Sequence, residues 1–259
     1  LVVAGGVIAF AAFLLSVLFI RDTADHVALE QSRQHAGADE PPPRMRAAFA
    51  QATYRVPALR SCSQAGLVNN LNDGLAWGLV PLFLAANGAS VAAIGLVAAL
   101  YPGVWAIAQI GTGHWSDSIG RKPLIVAGMF LQAAALTVLA LSGGAIAIAI
   151  ATAVVLGLGT ALVYPTLIAA ISDAVAPVAR APVVGVYRFW RDSGYAVGAV
   201  IAGADALGYG GAIAIVAALT AASGLWVLYD LPAIHREPGP PASAEAGRRW
   251  IAGNALRQP

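Results

Sequence analysis

Gly113-His114-Trp115-Ser116-Asp117-Ser118-Ile119-Gly120-Arg121-Lys122 is a polar decapeptide between two stretches almost free of charge. Upstream, residues 74–116 carry no formal charge apart from any on His114; downstream, residues 123–172 carry none. A membrane helix needs about 20 mostly apolar residues to cross roughly 30 Å of hydrocarbon. Each stretch is therefore long enough for two helices, divided at Asn87-Gly88 and at Ser142-Gly143-Gly144. Working outward, residues 182–207 and 209–229 add two more, and the apolar opening, residues 1–20, adds another. The reading is an all-α membrane protein with seven transmembrane helices near 1–20, 64–86, 90–112, 123–142, 145–171, 182–207 and 209–231.

Composition agrees with this reading. The 259 residues are 59% hydrophobic and 11% charged, with a mean hydropathy of +0.73, whereas soluble domains are about 25% charged. The net charge of +2 provides no basic field for nucleic acid. One cysteine, Cys62, excludes an intrachain disulfide framework and any multi-cysteine metal site. The chain does not open on Met, and its first apolar run lacks a basic leader. The expectation is a fragment of a longer protein.

The placement of the basic residues sets an orientation. Six lie in residues 21–60, two are Arg121 and Lys122, three are Arg180, Arg188 and Arg191, and four lie in the tail, which accounts for all 15. The alternate loops, near 87–89, 142–144 and 208–211, hold none. Positive charge resists translocation. The linker 21–60, with its Pro41-Pro42-Pro43 breaker, and the tail 236–259 are therefore expected on the cytoplasmic side, the linker as a partly disordered aqueous segment.

The decapeptide resembles the loop signature of the major facilitator superfamily, G-x-x-x-D-[RK]-x-G-R-[RK]. Gly113, Asp117, Gly120, Arg121 and Lys122 match it, and Ser118 departs at the first basic position. A second resemblance to that family runs through Gly157-Leu158-Gly159, Tyr164-Pro165, Asp173, Pro177, Arg180, Gly185, Gly194 and Gly198. The resemblance implies that residues 61–235 form the C-terminal six-helix half, a 3+3 inverted repeat, of a twelve-helix transporter in the cell inner membrane. Residues 1–20 would then be its sixth helix, and the N-terminal half would be missing from this chain. It also implies a small-molecule substrate, no cofactor and no enzymatic role. The signature is either a gating loop or a topogenic turn in which glycines permit reversal and Arg121 and Lys122 meet anionic headgroups.

Three groups of polar residues are candidates for the pathway. In helix 64–86, Asn69, Asp73 and Trp77 fall at i, i+4 and i+8, with Asn72 beside them; Gly66, Gly74 and Gly78 form a separate packing stripe. Asp73 would lie roughly 14 Å deep. No basic residue is within a turn of it, so its carboxyl is protonated, hydrated in a cavity or bonded to another helix. A carboxyl held in this way suits a proton carrier; a structural hydrogen bond is the rival reading. In helix 90–112, Tyr101, Trp105, Gln109 and Thr112 form a stripe that either binds an organic solute or packs, and Pro102-Gly103 could unwind it. In helix 182–207, Arg188 and Asp192 are at i, i+4 and can pair, with Arg191 between them. This cluster is either a snorkelling structural pair or a gating site.

Two other function classes were weighed. A seven-helix receptor or light sensor is the alternative, but Lys122, the only lysine, lies in the turn and offers no intramembrane Schiff base. An enzyme finds no support: no HExxH, GxSxG or phosphate-cradling motif occurs, and all four histidines lie in polar segments.

Overall fold

The computed structural model describes residues 2–19, 43–203 and 208–232. The expectations for residues 20–42, for the 204–207 end of the sixth predicted helix and for the tail beyond 232 lie outside the described residues. Those described are almost wholly helical, with no strand among them. The helices are α1 (Val2–Phe19), α2 (Met45–Ala50), α3 (Pro57–Ala86), α4 (Val91–Ile119), α5 (Arg121–Leu141), α6 (Ile146–Ala174), α7 (Pro177–Ala202) and α8 (Gly208–Asp230). The seven long helices are the seven expected.

Several boundaries differ from expectation, and for one reason. A helix satisfies its own backbone hydrogen bonds, so it does not stop where the apolar run stops. α3 begins at Pro57, which suits the first helical position because proline has no N–H to leave unpaired. α7 likewise begins at Pro177 rather than at 182. The linker boundary at 60 falls inside α3, and residues 45–55 are not an extended linker. They form α2 and a π-helical turn (Gln51–Arg55), with Ala48 and Ala52 buried in the core that also holds Leu59, Val183 and Tyr187.

By length and composition, α4, α5, α6 and α8 are apolar enough to cross a membrane. α3 and α7 are as long but fall short in apolarity, because they carry the polar candidates Asn69, Asn72, Asp73, Arg188, Arg191 and Asp192. α1 is apolar, and Phe10, Phe13 and Leu18 are exposed on it.

The closest helix pairs are α3 with α7, α5 with α6, α5 with α8, α4 with α6, and α3 with α8. Exchanging α3 with α6, α4 with α7 and α5 with α8 maps this pattern of contacts onto itself. Close approach depends on glycine. At Gly194 on α7, an added Cβ would collide with the α3 backbone at Leu67 and Leu71, and Gly128 and Gly159 sit backbone to backbone between α5 and α6. Gly78 has open space around it and plays no part in the packing stripe expected of it.

Candidate functional site

Because α3 starts early, Asp73 falls near the middle of its 30 residues. The side chain is buried. The Tyr101 hydroxyl of α4 donates to Asp73 Oδ1. Thr160 Oγ1 of α6 lies 3.1 Å from the same hydroxyl. A phenol has one proton to give, so Thr160 donates to Tyr101, and the chain of donors runs Thr160 to Tyr101 to Asp73. Tyr195 and, at longer range, Arg191 also face this carboxyl from α7. Among the described residues no cation forms an ion pair with Asp73. Of the fates open to this carboxyl, the structure shows hydrogen bonding to another helix.

The rings above Asp73 form a continuous row contributed by four helices. Tyr195 (α7) stacks on Trp77 (α3) with centroids 6.2 Å apart and planes 15° from parallel. Trp77 meets Tyr101 edge-on at 6.4 Å. Tyr101 stacks on Trp105 at 6.5 Å, and Trp105 meets Tyr164 of α6 at 5.3 Å. Arg191 closes the row, its guanidinium 5.6 Å from the Tyr164 centroid and its Nη1 donating to the Tyr164 hydroxyl at 3.1 Å. Trp77 is 47% exposed and Tyr195 37%, so this end of the row is open. Pro102-Gly103 does not unwind α4, which stays helical from Val91 to Ile119.

The α7 charges pair differently from the sequence expectation. Asp192 Oδ1 accepts from Arg191, with an Nη2 distance of 2.7 Å, and not from Arg188. Helical spacing favours Arg188, at i, i+4, over the adjacent Arg191, and tertiary contacts override it. Arg191 is the one turned inward, where Tyr164 holds its other nitrogen, while Arg188 is exposed. Asn70 also donates to Asp192, at 3.4 Å. Gln109 is half-buried one turn beyond Trp105, and its carbonyl accepts from the buried Thr112 hydroxyl.

The structure splits the Asn69–Asp73–Trp77 stripe. Asn69 and Asn72 turn away from the rings into a buried network with α5 and α8. Asn72 Nδ2 donates to Gln132 Oε1 at 2.7 Å, Gln132 Nε2 to Asn69 Oδ1 at 3.1 Å, and Thr220 to Asn72 Oδ1 at 2.9 Å. This network joins three helices and leaves Asn72 completely buried.

The signature decapeptide is not a loop. Gly113 to Ile119 are the last turns of α4, and α5 restarts at Arg121 after a one-residue joint. That joint is Gly120, whose φ of +98° a side chain would rarely tolerate. The buried Arg121 guanidinium reaches Asp117 at 2.8 Å, Asp173 at 2.9 Å and the Ser116 hydroxyl. It therefore ties the α4–α5 joint to the end of α6. Lys122 is half-buried beside it.

Sequence reasoning did not single out Tyr195, Thr160 or Tyr164 as site residues. Tyr195 had a signal, since it extends the Arg188–Arg191 face by one more turn. Thr160 had none, because its partner Tyr101 is 59 residues away.

Residues 63–259, most of the chain, match the family model described as Major Facilitator Superfamily. Among curated proteins, nothing matches the chain.

Proposed function

Since the chain belongs to the major facilitator superfamily of multi-pass membrane transporters, we propose that it moves a small solute by proton-coupled alternating access. In this reading residues 61–235 form the C-terminal half, two helix triplets related by inversion, in the cell inner membrane. The linker and tail face the cytoplasm, and a second six-helix half completes the pathway. The reading is carried by one observation: a buried, unpaired carboxyl at mid-helix lies beneath an open row of rings drawn from α3, α4, α6 and α7. A carboxyl without a cation partner exchanges a proton without first breaking an ion pair. Tyr101, bonded to Asp73 and stacked on Trp105, links that exchange to the solute surface. Arg121, bonded across the α4–α5 joint to Asp117 and onward to Asp173 of α6, supports a gating role for the signature residues at the charged end of the bundle.

Alternating access is tested with a single cysteine at Tyr195 in a Cys62→Ser background. Impermeant thiol reagents should reach it from both sides of the membrane, in a ratio that shifts with an imposed pH gradient. Reaction from one side only, under every gradient, would refute it. Asp73→Asn should leave expression and folding near wild type and abolish that shift. A wild-type shift in Asp73→Asn would remove Asp73 from coupling and leave the Arg188/Arg191/Asp192 cluster as the next candidate.

A further inference from the structure

Resting on that transport reading, we infer that the open end of the ring row, Trp77 and Tyr195 above Asp73, is a binding site for an organic monocation. The arrangement of charges leads there. Arg191 is the one guanidinium seated in the row, and Asp192 already neutralises it at 2.7 Å. Asp73 forms no ion pair among the described residues, and Arg191, which faces it at longer range, is already paired with Asp192, so the negative charge Asp73 can carry has no partner of its own beneath the rings.

The rings themselves favour positive charge. Aromatic faces are negative, and tryptophan binds cations best. Because the Tyr101 hydroxyl donates a hydrogen bond to Asp73, its own oxygen and ring become more electron-rich. The far end of the same row shows the chemistry in place, because Arg191 lies over Tyr164 at 5.6 Å. At the near end, where Trp77 and Tyr195 stack on each other, no cation among the described residues lies over either ring, and both are exposed. The ligand therefore has one positive charge, which Asp73 balances, and a flat or apolar body that covers the two rings.

Arg188 is the competing influence. It is exposed and lies seven residues from Tyr195 on α7, about 10 Å along the helix. An anion bound at Arg188 would leave Asp73 unbalanced, so it is a different outcome rather than a variant of this one.

Equilibrium binding of radiolabelled tetraphenylphosphonium to the protein in phosphatidylcholine nanodiscs decides between them. The expected result is a saturable component displaced by benzyltrimethylammonium and unaffected by equal concentrations of benzoate or benzyl alcohol. Asp73→Asn and Trp77→Ala should each weaken it at least tenfold. Trp77→Phe, which keeps a smaller ring on an exposed position, should weaken it less. Trp115→Phe, at an exposed ring outside the row, should leave it unchanged. The inference is overturned by displacement with benzoate, by saturable benzoate binding that Arg188→Gln abolishes, or by unchanged binding in Asp73→Asn and Trp77→Ala. It is equally overturned if protein of wild-type helicity shows no saturable cation binding. An anion in place of the cation leaves transport standing, since that reading is decided separately by two-sided labelling of Tyr195→Cys.

Discussion

Replacing Gly194 with alanine should separate α7 from α3, and the size of the effect can be worked from the contact. A Cβ there would overlap the Leu67 carbonyl oxygen and lie 2.9 Å from the Leu71 nitrogen and 3.1 Å from the Leu67 carbonyl carbon. All three atoms belong to the α3 backbone, so no side chain can rotate out of the way. Restoring ordinary contacts, about 3.5–4.0 Å, to the overlapping Leu67 oxygen moves the helices apart by about 1.5–2 Å. Overpacking of this kind costs about 1–3 kcal/mol, offset by about 1 kcal/mol from alanine's better helix propensity. Since the overlap is with backbone, the upper end of that range applies and the net loss at Gly194 is roughly 2 kcal/mol. At Gly198 the nearest atom, Leu71 O, is 3.2 Å away, so the two terms should nearly cancel. At Gly78 nothing lies within 4 Å, and alanine should stabilise α3. Unfolding by dodecyl sulfate in mixed micelles, followed by far-ultraviolet circular dichroism, ranks the three variants. Gly194→Ala matching or exceeding Gly78→Ala in stability would refute the backbone-contact argument. Tyr195 adjoins Gly194 and Arg191 lies one turn before it, so the same variant should also disturb the ring row.

Thr220→Val removes the hydroxyl shared between Asn72 Oδ1 at 2.9 Å and the Val216 carbonyl at 2.7 Å and should cost about 0.6 kcal/mol, the average for hydrogen bonds between membrane helices, and at most about 1.7 kcal/mol; an unchanged unfolding midpoint would show that the network is slack. Arg121→Lys keeps the charge but loses the planar fork that reaches both Asp117 and Asp173. It should destabilise the α4–α5 joint, and in a double-mutant cycle Asp173→Asn should then cost less than it does alone; strict additivity would mean the two side chains act separately. For orientation, single cysteines at Asn87 or Ser142 in a Cys62→Ser background should react with impermeant reagents outside intact cells. Labelling of a cysteine at Ser118 from outside would invert the proposed topology.

Helix number, helical class and charge asymmetry are local properties of the chain. An uncharged run such as 123–172 has one affordable state in hydrocarbon, with every backbone bond closed inside a helix. α5 and α6 could therefore be read without tertiary information. The match of residues 113–122 to a family signature was equally legible, although its shape was not: a tight turn was expected, and the structure has helix up to a single glycine joint at Gly120. The early starts of α3 and α7 escaped because polar residues such as Arg60 and Arg180 ended the apolar run but not the helix.

The site was legible in its residue types and not in its contacts. The sequence alone determined that Asp73 has no basic residue within a turn on its own helix, and that aromatic residues recur along 101–105. Whether that carboxyl met a cation, water or a phenol depended on which helix packs against α3, and only the tertiary structure decided that. Tyr101 arrives from 28 residues away and Thr160 from another helix again. The choice of Arg191 over Arg188 for Asp192 was likewise tertiary, since helical spacing favours Arg188 at i, i+4 and the contact of Arg191 with Tyr164 on α6 overrides it. Helical periodicity determines which residues share a face; which faces meet is set by where glycines such as Gly194 let two backbones approach.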